Sequence, residues 1–196
     1  MMDIWNSKSK VPIIYLCSFM HNTNKTHIRH LAEICFQKQI TRFVLCPGSR
    51  CAPLTIALTR HSGIETIPII DERSAAFFAL GMAQQSFDSF GKRKPVGLVC
   101  TSGSAALNFS PTIAEAYYQK IPLLVLTADR PPEWIDQQDG QTIRQKNVYQ
   151  NFIAASFELP VEPQTPDELR HSDRIVNEAI NTAIRLQQPE IGRAHV

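Results

Sequence analysis

Apolar residues recur along the chain in short blocks separated by helical stripes. In residues 26–40, "THIRHLAEICFQKQI", Ile28, Leu31, Ala32, Cys35 and Phe36 fall on one stripe at a spacing of three and four, which predicts a helix. "RFVLC" (42–46) is a short apolar run of strand type. "PGSRC" then reads as a turn, with Pro53 suited to the first turn of a helix over "APLTIALTRH". "IETIPII" (64–70) predicts the next strand and 72–86 the next helix, followed by a surface loop, "FDSFGKRKP". "VGLVCT" (96–101) predicts a third strand, "SGSA" a tight turn, and "LNFSPTIAEAYYQ" a helix with Pro111 near its start. "PLLVLTA" (122–128) predicts a fourth strand. "DRPPEWIDQQDG" reads as a long loop and "QTIRQKNVYQ" as a short helix. The last helix starts near Thr165 and carries Ile175, Val176, Ala179, Ile180, Ala183 and Ile184 up to Pro189.

Four short apolar strands alternating with helices predict an α/β fold, a doubly wound parallel sheet with helices on both faces. The main domain is expected over 26–189, after an extension over 1–25. In that extension, "VPIIYLCSFM" (11–20) has about half the apolar length of a membrane span. It lacks a small-residue cleavage site, and Met20 is an alternative start. Residues 190–196, "EIGRAHV", match what a translated sequencing adapter encodes and are expected to be a non-native tail, with further domains missing.

A net charge of +2, without a Lys/Arg run, gives no sign of a nucleic-acid partner. Five cysteines without CxxC or Cys/His zinc spacing read as free thiols of a reducing, cytoplasmic compartment.

In open α/β sheets, ligands bind beyond the carboxyl ends of the strands. Four unusual sequences fall at the four predicted ends: Pro47-Gly48-Ser49-Arg50, Asp71-Glu72-Arg73, Thr101-Ser102-Gly103-Ser104, and Asp129-Arg130-Pro131-Pro132. Arginines suit carboxylates, which a planar guanidinium can hold with two hydrogen bonds. Each signal has a plainer alternative. "PGSR" can be an ordinary turn, and "TSGSA" lacks a Walker lysine. Glu72 can be a first-turn acid favoured by the helix dipole, with Asp71 as the cap. Arg130 can pair with Glu133, while His61 and His171 read as surface residues.

Taken in order, "CPGSRCAPLTIAL", "IIDERSAAFFALGMA", "CTSGSAALNFSPTIAEAYYQKIPLLVLTADRPPEWIDQQDGQTIRQ" and "NVYQNFIAASFELP" resemble the N-terminal domain of the MenD-type, thiamine-diphosphate-dependent synthases. The resemblance runs from about residue 26 to 160. It implies a pyrimidine-binding domain whose family condenses 2-oxoglutarate with isochorismate in menaquinone biosynthesis, releasing carbon dioxide. Thiamine diphosphate with Mg2+ or Mn2+ is the implied cofactor, and a homodimer or homotetramer the implied assembly. Glu72 matches the cofactor-activating glutamate. An apolar setting of Ile69, Ile70, Ala75 and Phe77 would let it share a proton with the cofactor's ring nitrogen. Ser49, Arg50, Arg130 and Gln141 match substrate-binding positions, and Gly103 and Ser104 the turn near the pyrimidine. Cys51 stands where serine is usual and Ser104 where threonine is usual. No GDG…N segment for diphosphate and metal is present, so the resemblance implies half of a site, with the metal ligands in a missing C-terminal domain. A related lyase acting on other keto acids and a non-catalytic binding domain remain as alternatives.

Overall fold

The computed structural model describes residues 23–195, so the reading of 11–20 lies outside the described residues. Six strands form one sheet: β1 (Arg42–Leu45), β2 (Glu65–Pro68), β3 (Val96–Cys100), β4 (Leu123–Asp129), β5 (Ser156–Leu159) and β6 (Glu190–His195). All pairings are parallel, in the order β2-β1-β3-β4-β6-β5. The helices are α1 (Thr26–Gln37), α2 (Ala52–Arg60), α3 (Glu72–Gln84), α4 (Ser104–Leu107), α5 (Ser110–Tyr118) and α6 (Pro166–Leu186).

Side chains alternate across a strand, so each buried strand feeds two cores. Phe43, Leu45, Val99, Leu124, Leu126 and Ala128 face one side, where Ile28, Leu31 and Cys35 of α1, Leu54 and Leu58 of α2 and Val176 and Ile180 of α6 cover them. Val44, Cys46, Leu98, Cys100, Leu123 and Val125 face the other, under Ala75, Ala76, Ala79 and Ala83 of α3 and Phe109, Ile113 and Ala116 around α5. The doubly wound parallel sheet expected from the pattern is present. The chain runs from β1 outward to β2 and then returns to the other side of β1 for β3. The strand order therefore reverses between β1 and β3, which is where open α/β sheets form their ligand crevice.

Local signals explain the element ends. The Asp71 carboxylate accepts from Ser74 N at 2.7 Å and caps α3. A reciprocal capping box of Thr165 and Glu168 opens α6. The helix expected over 107–119 is instead two helices, α4 and α5, because Pro111 sits in the first turn of α5 and has no N–H to extend a longer helix. "QTIRQKNVYQ" is not helical: Gln141 and Asn147 take left-handed backbone angles and only Gln150–Phe152 forms a 3-10 turn. The sheet has two strands more than the four apolar runs predict. β5 buries only Leu159, so it carries no apolar run. Glu190–His195, expected to fall outside the domain, lies within the sheet between β4 and β5.

Candidate functional site

All four ligand-type sequences stand at the carboxyl ends of β1 to β4, and close contacts tie three of the connecting segments together. Gly48 lies so near Thr101 that a Cβ on it would stand 2.5 Å from Thr101 Cβ. The β1 and β3 turns therefore touch across the switch point, and only a residue without a side chain fits there. Cys51 holds the β1 turn from inside, its thiol donating to the carbonyls of Cys46 and Gly48 at 3.4 and 3.3 Å.

The β3 turn is bound in turn to the segment after β4. Ser102 Oγ donates to the Gln141 carbonyl at 2.9 Å. Gly103, at φ 84° and ψ −145°, presses against the Gln141 backbone, and its N–H donates to Gln145 Oε1 at 3.1 Å. Gly103 and Gln141, two of the predicted site residues, are thus direct neighbours. Ser104 is exposed at the first position of α4.

Glu72 opens α3, half-buried, one residue after the capping Asp71. The helix it opens packs on β1 and β3, and the buried thiols Cys46, Cys51 and Cys100 lie within electrostatic reach of its carboxylate. Burial is the main reason these thiols are raised, with Cys46 pushed up to about 12; the acidic neighbour adds to it. Cys35, Cys46, Cys51 and Cys100 are all free and buried, as expected, while Cys17 lies outside the described residues. The apolar enclosure expected around Glu72 is only half formed. Ala75 is buried and Ile69 packs on the core, but Ile70 is 80% and Phe77 44% exposed. Phe77 stands on an outer face of α3, whose inward stripe belongs to the alanines, and Ile70 lies in the bend before that helix begins.

Ser49 is exposed and Arg50 half-buried. Neither makes a hydrogen bond or ion pair with Glu72 or Gln141 among the described residues. Arg130, whose plainer reading is an ion pair with Glu133, is tied into the loop that follows it. Its guanidinium pairs with Asp139, donates to the Gly140 carbonyl at 3.4 Å, and stacks over Trp134 with 5.9 Å to the ring centroid. Gln141 follows directly, exposed and left-handed at φ 58°, so Arg130 and Gln141 lie at the two ends of one short cross-linked loop.

Two participants escaped the sequence reading. Asp139 and Gln145 sit in a stretch where nothing separates them from neighbouring polar residues. Asp129 is buried and bound to Arg193 of β6 at 3.1 Å, a partner more than sixty residues away in sequence. His61, read from the sequence as a surface residue, is half-buried and binds Glu33 at 3.1 Å, and this holds the Glu33 carboxyl below its ordinary value. Among the described residues, no group of three or more His, Cys, Asp or Glu side chains is placed to hold a metal ion. No described helix is long and apolar enough to cross a membrane.

The family model described as "Thiamine pyrophosphate enzyme, N-terminal TPP binding domain" matches residues 25–150, which include all four strand-end sequences. The chain belongs to this family. It is 53% identical over 154 residues to the 2-succinyl-5-enolpyruvyl-6-hydroxy-3-cyclohexene-1-carboxylate synthase of Cytophaga hutchinsonii, covering 79% of this chain and 26% of that protein. The synthase of the same name from Christiangramia forsetii is 50% identical over 174 residues, covering 82% and 29%. That of Desulfotalea psychrophila is 46% identical over 172 residues, covering 88% and 30%. The chain spans less than a third of the length of these curated relatives. As a thiamine pyrophosphate enzyme N-terminal domain, it presents its ligand-type turns on one edge of the sheet.

Proposed function

We propose that the chain is the pyrimidine-binding domain of a thiamine-diphosphate-dependent synthase that decarboxylates 2-oxoglutarate and joins the four-carbon unit to isochorismate, a step of menaquinone biosynthesis. The observation that carries this reading is the meeting of the β1 and β3 turns at the switch point, with Glu72 at the start of the helix that packs on these two strands. The residues present fit a bound heterocycle. Thr101 is buried beside Gly48, yet its hydroxyl has no hydrogen-bond partner, and Glu72 has no ion-pair partner among the described residues. A polar ring at this edge would supply partners to both.

Glu72, Gly103 and Ser104 are the residues that would hold the cofactor's aminopyrimidine. When bound, thiamine diphosphate supplies the electron sink for decarboxylation of a 2-keto acid. Glu72 holds a proton at a ring nitrogen, a role suited to a carboxyl that stands on a rigid helix end. Asp71 caps that helix and so fixes the direction of the next residue. Arg50, Arg130, Ser49 and Gln141 bind the substrate carboxylates: both substrates are dicarboxylates, and two guanidinium groups match that charge. Magnesium or manganese is assigned to residues outside this domain. The synthase acts in the cytoplasm as a homodimer or homotetramer.

The test is the substrate profile of the synthase that contains this domain. It should release carbon dioxide from 2-oxoglutarate in the presence of isochorismate. Pyruvate, which lacks the second carboxylate, should be used at least about a hundredfold less efficiently, because the arginines are then left unpaired. Equal use of pyruvate would overturn the assignment.

A further inference from the structure

We infer that Gln145 is a positioning residue that locks the candidate cofactor turn and the candidate substrate loop into one unit. This goes beyond the proposed function but rests on it for the meaning of the two segments. Gln145 is 2% exposed, and its side-chain amide is used at both ends. Oε1 accepts from Gly103 N at 3.1 Å, while Nε2 donates to Thr127 Oγ1 at 3.0 Å and to the Ala128 carbonyl at 2.8 Å. One neutral side chain therefore fastens the turn after β3 to the end of β4.

The same residue fixes the segment on which Gln141 stands. Residues 141–145 are clamped at both ends to the β3 turn: Ser102 holds the Gln141 carbonyl, and Gln145 holds the Gly103 amide. Between these clamps Gln141 adopts a left-handed conformation with its side chain exposed. Gln145 thus sets where Gly103 and Ser104 stand relative to Gln141 without facing the site itself. An amide is suited to this task because it donates and accepts at once; an apolar side chain of the same size would fill the space and orient nothing.

The experiment uses Gln145→Met, which keeps length and burial but removes all three hydrogen bonds. Hydrogen exchange of the Gly103 amide should accelerate by roughly tenfold or more, while amides inside β3 and β4 keep their protection. In the synthase that contains this domain, kcat should fall by about 10- to 100-fold, the loss expected when reacting groups are held less well. The KM for 2-oxoglutarate should rise, and Gln145→Glu, which can still accept from Gly103, should recover part of the protection at that amide. Unchanged exchange at Gly103 overturns the inference. Equal loss of protection throughout β3 and β4 also overturns it, because Gln145 would then be a general stabiliser. If Gln145→Met does not fold, Thr127→Val decides the matter through the same amide: a smaller but local acceleration supports the clamp, and none overturns it. A wild-type synthase inactive on 2-oxoglutarate and isochorismate would sink the proposed function, and the exchange result would still decide the role of Gln145.

Discussion

Substituting Gly103 with alanine tests whether the β3 turn is held as tightly as its contacts imply. At φ 84° and ψ −145° the residue lies in a region open essentially to glycine alone. Forcing an L-residue there costs about 1–3 kcal/mol. The new Cβ would also stand 2.8 Å from Cα, C and O of Gln141, and backbone atoms cannot step aside as a flexible side chain can. Overpacking of that kind adds about 1–3 kcal/mol. A total of about 2–6 kcal/mol is a large share of a domain's stability of roughly 5–15 kcal/mol. For a domain of this size it lowers Tm by roughly 5–20 °C. Circular dichroism melts of Gly103→Ala and wild type measure the shift. Gly81→Ala is the control: an added Cβ meets nothing within 4 Å, and a helical Gly→Ala change should be neutral or stabilise by about 0.5–1 kcal/mol. A Gly103→Ala variant melting within about 2 °C of wild type would refute the contact between the turn and Gln141.

Other consequences follow from particular groups. Burial lifts Glu190 from 4.5 to about 8, so the folded state favours its neutral form and stability should fall as pH rises across that window, by about 1.4 kcal/mol per unit. Glu190→Gln should remove this fall, and comparing Tm of the two proteins at pH 5 and 7.5 cancels the opposite trend from His27, whose imidazolium is disfavoured mainly by burial; identical profiles would contradict the burial of Glu190. Cys35, Cys46, Cys51 and Cys100 should resist iodoacetamide at pH 8 in the native state and react after unfolding, as read by peptide mass spectrometry, and rapid native labelling of Cys46 would show that its strand end is open. Asp139→Asn should release the Arg130 guanidinium from its internal carboxylate and change the KM for 2-oxoglutarate by about 2- to 10-fold with a smaller effect on kcat; an unchanged KM would separate Arg130 from substrate binding.

Much of this fold was legible because its central strands are short apolar runs flanked by turns. Phe43, Leu98 and Val125 announce buried parallel strands, and the alanine stripe of α3 announces a helix packed close to them. The edge escaped for physical reasons. β5 is half-exposed and β6 contains Glu190, Gly192 and Arg193, so neither has an apolar signature; parallel pairing alone makes them strands. The candidate site divides in the same way. Ser49, Glu72, Gly103 and Arg130 could be singled out as candidates because they sit at strand ends, where residue type and position agree. Gln145 could not, since its importance lies in three long-range hydrogen bonds that no local pattern encodes. The enclosure of Glu72 was misjudged because apolar residues next to a helix start can face either inward or outward. Helical phase turns Phe77 out, and Ile70 lies in the bend before the helix begins.

The central claim is that Glu72 activates a cofactor at the switch point rather than merely opening a helix. Turnover of 2-oxoglutarate with isochorismate by the synthase containing this domain, wild type against Glu72→Gln, tests it most directly. A first-turn acid contributes about 0.3–1 kcal/mol through the helix dipole, and the Asp71–Ser74 cap stays in place, so the variant should fold with nearly native Tm. Turnover should nevertheless fall by about 10²- to 10⁴-fold, the range for a lost proton-transfer group. A folded Glu72→Gln enzyme turning over within about twofold of wild type would contradict the account.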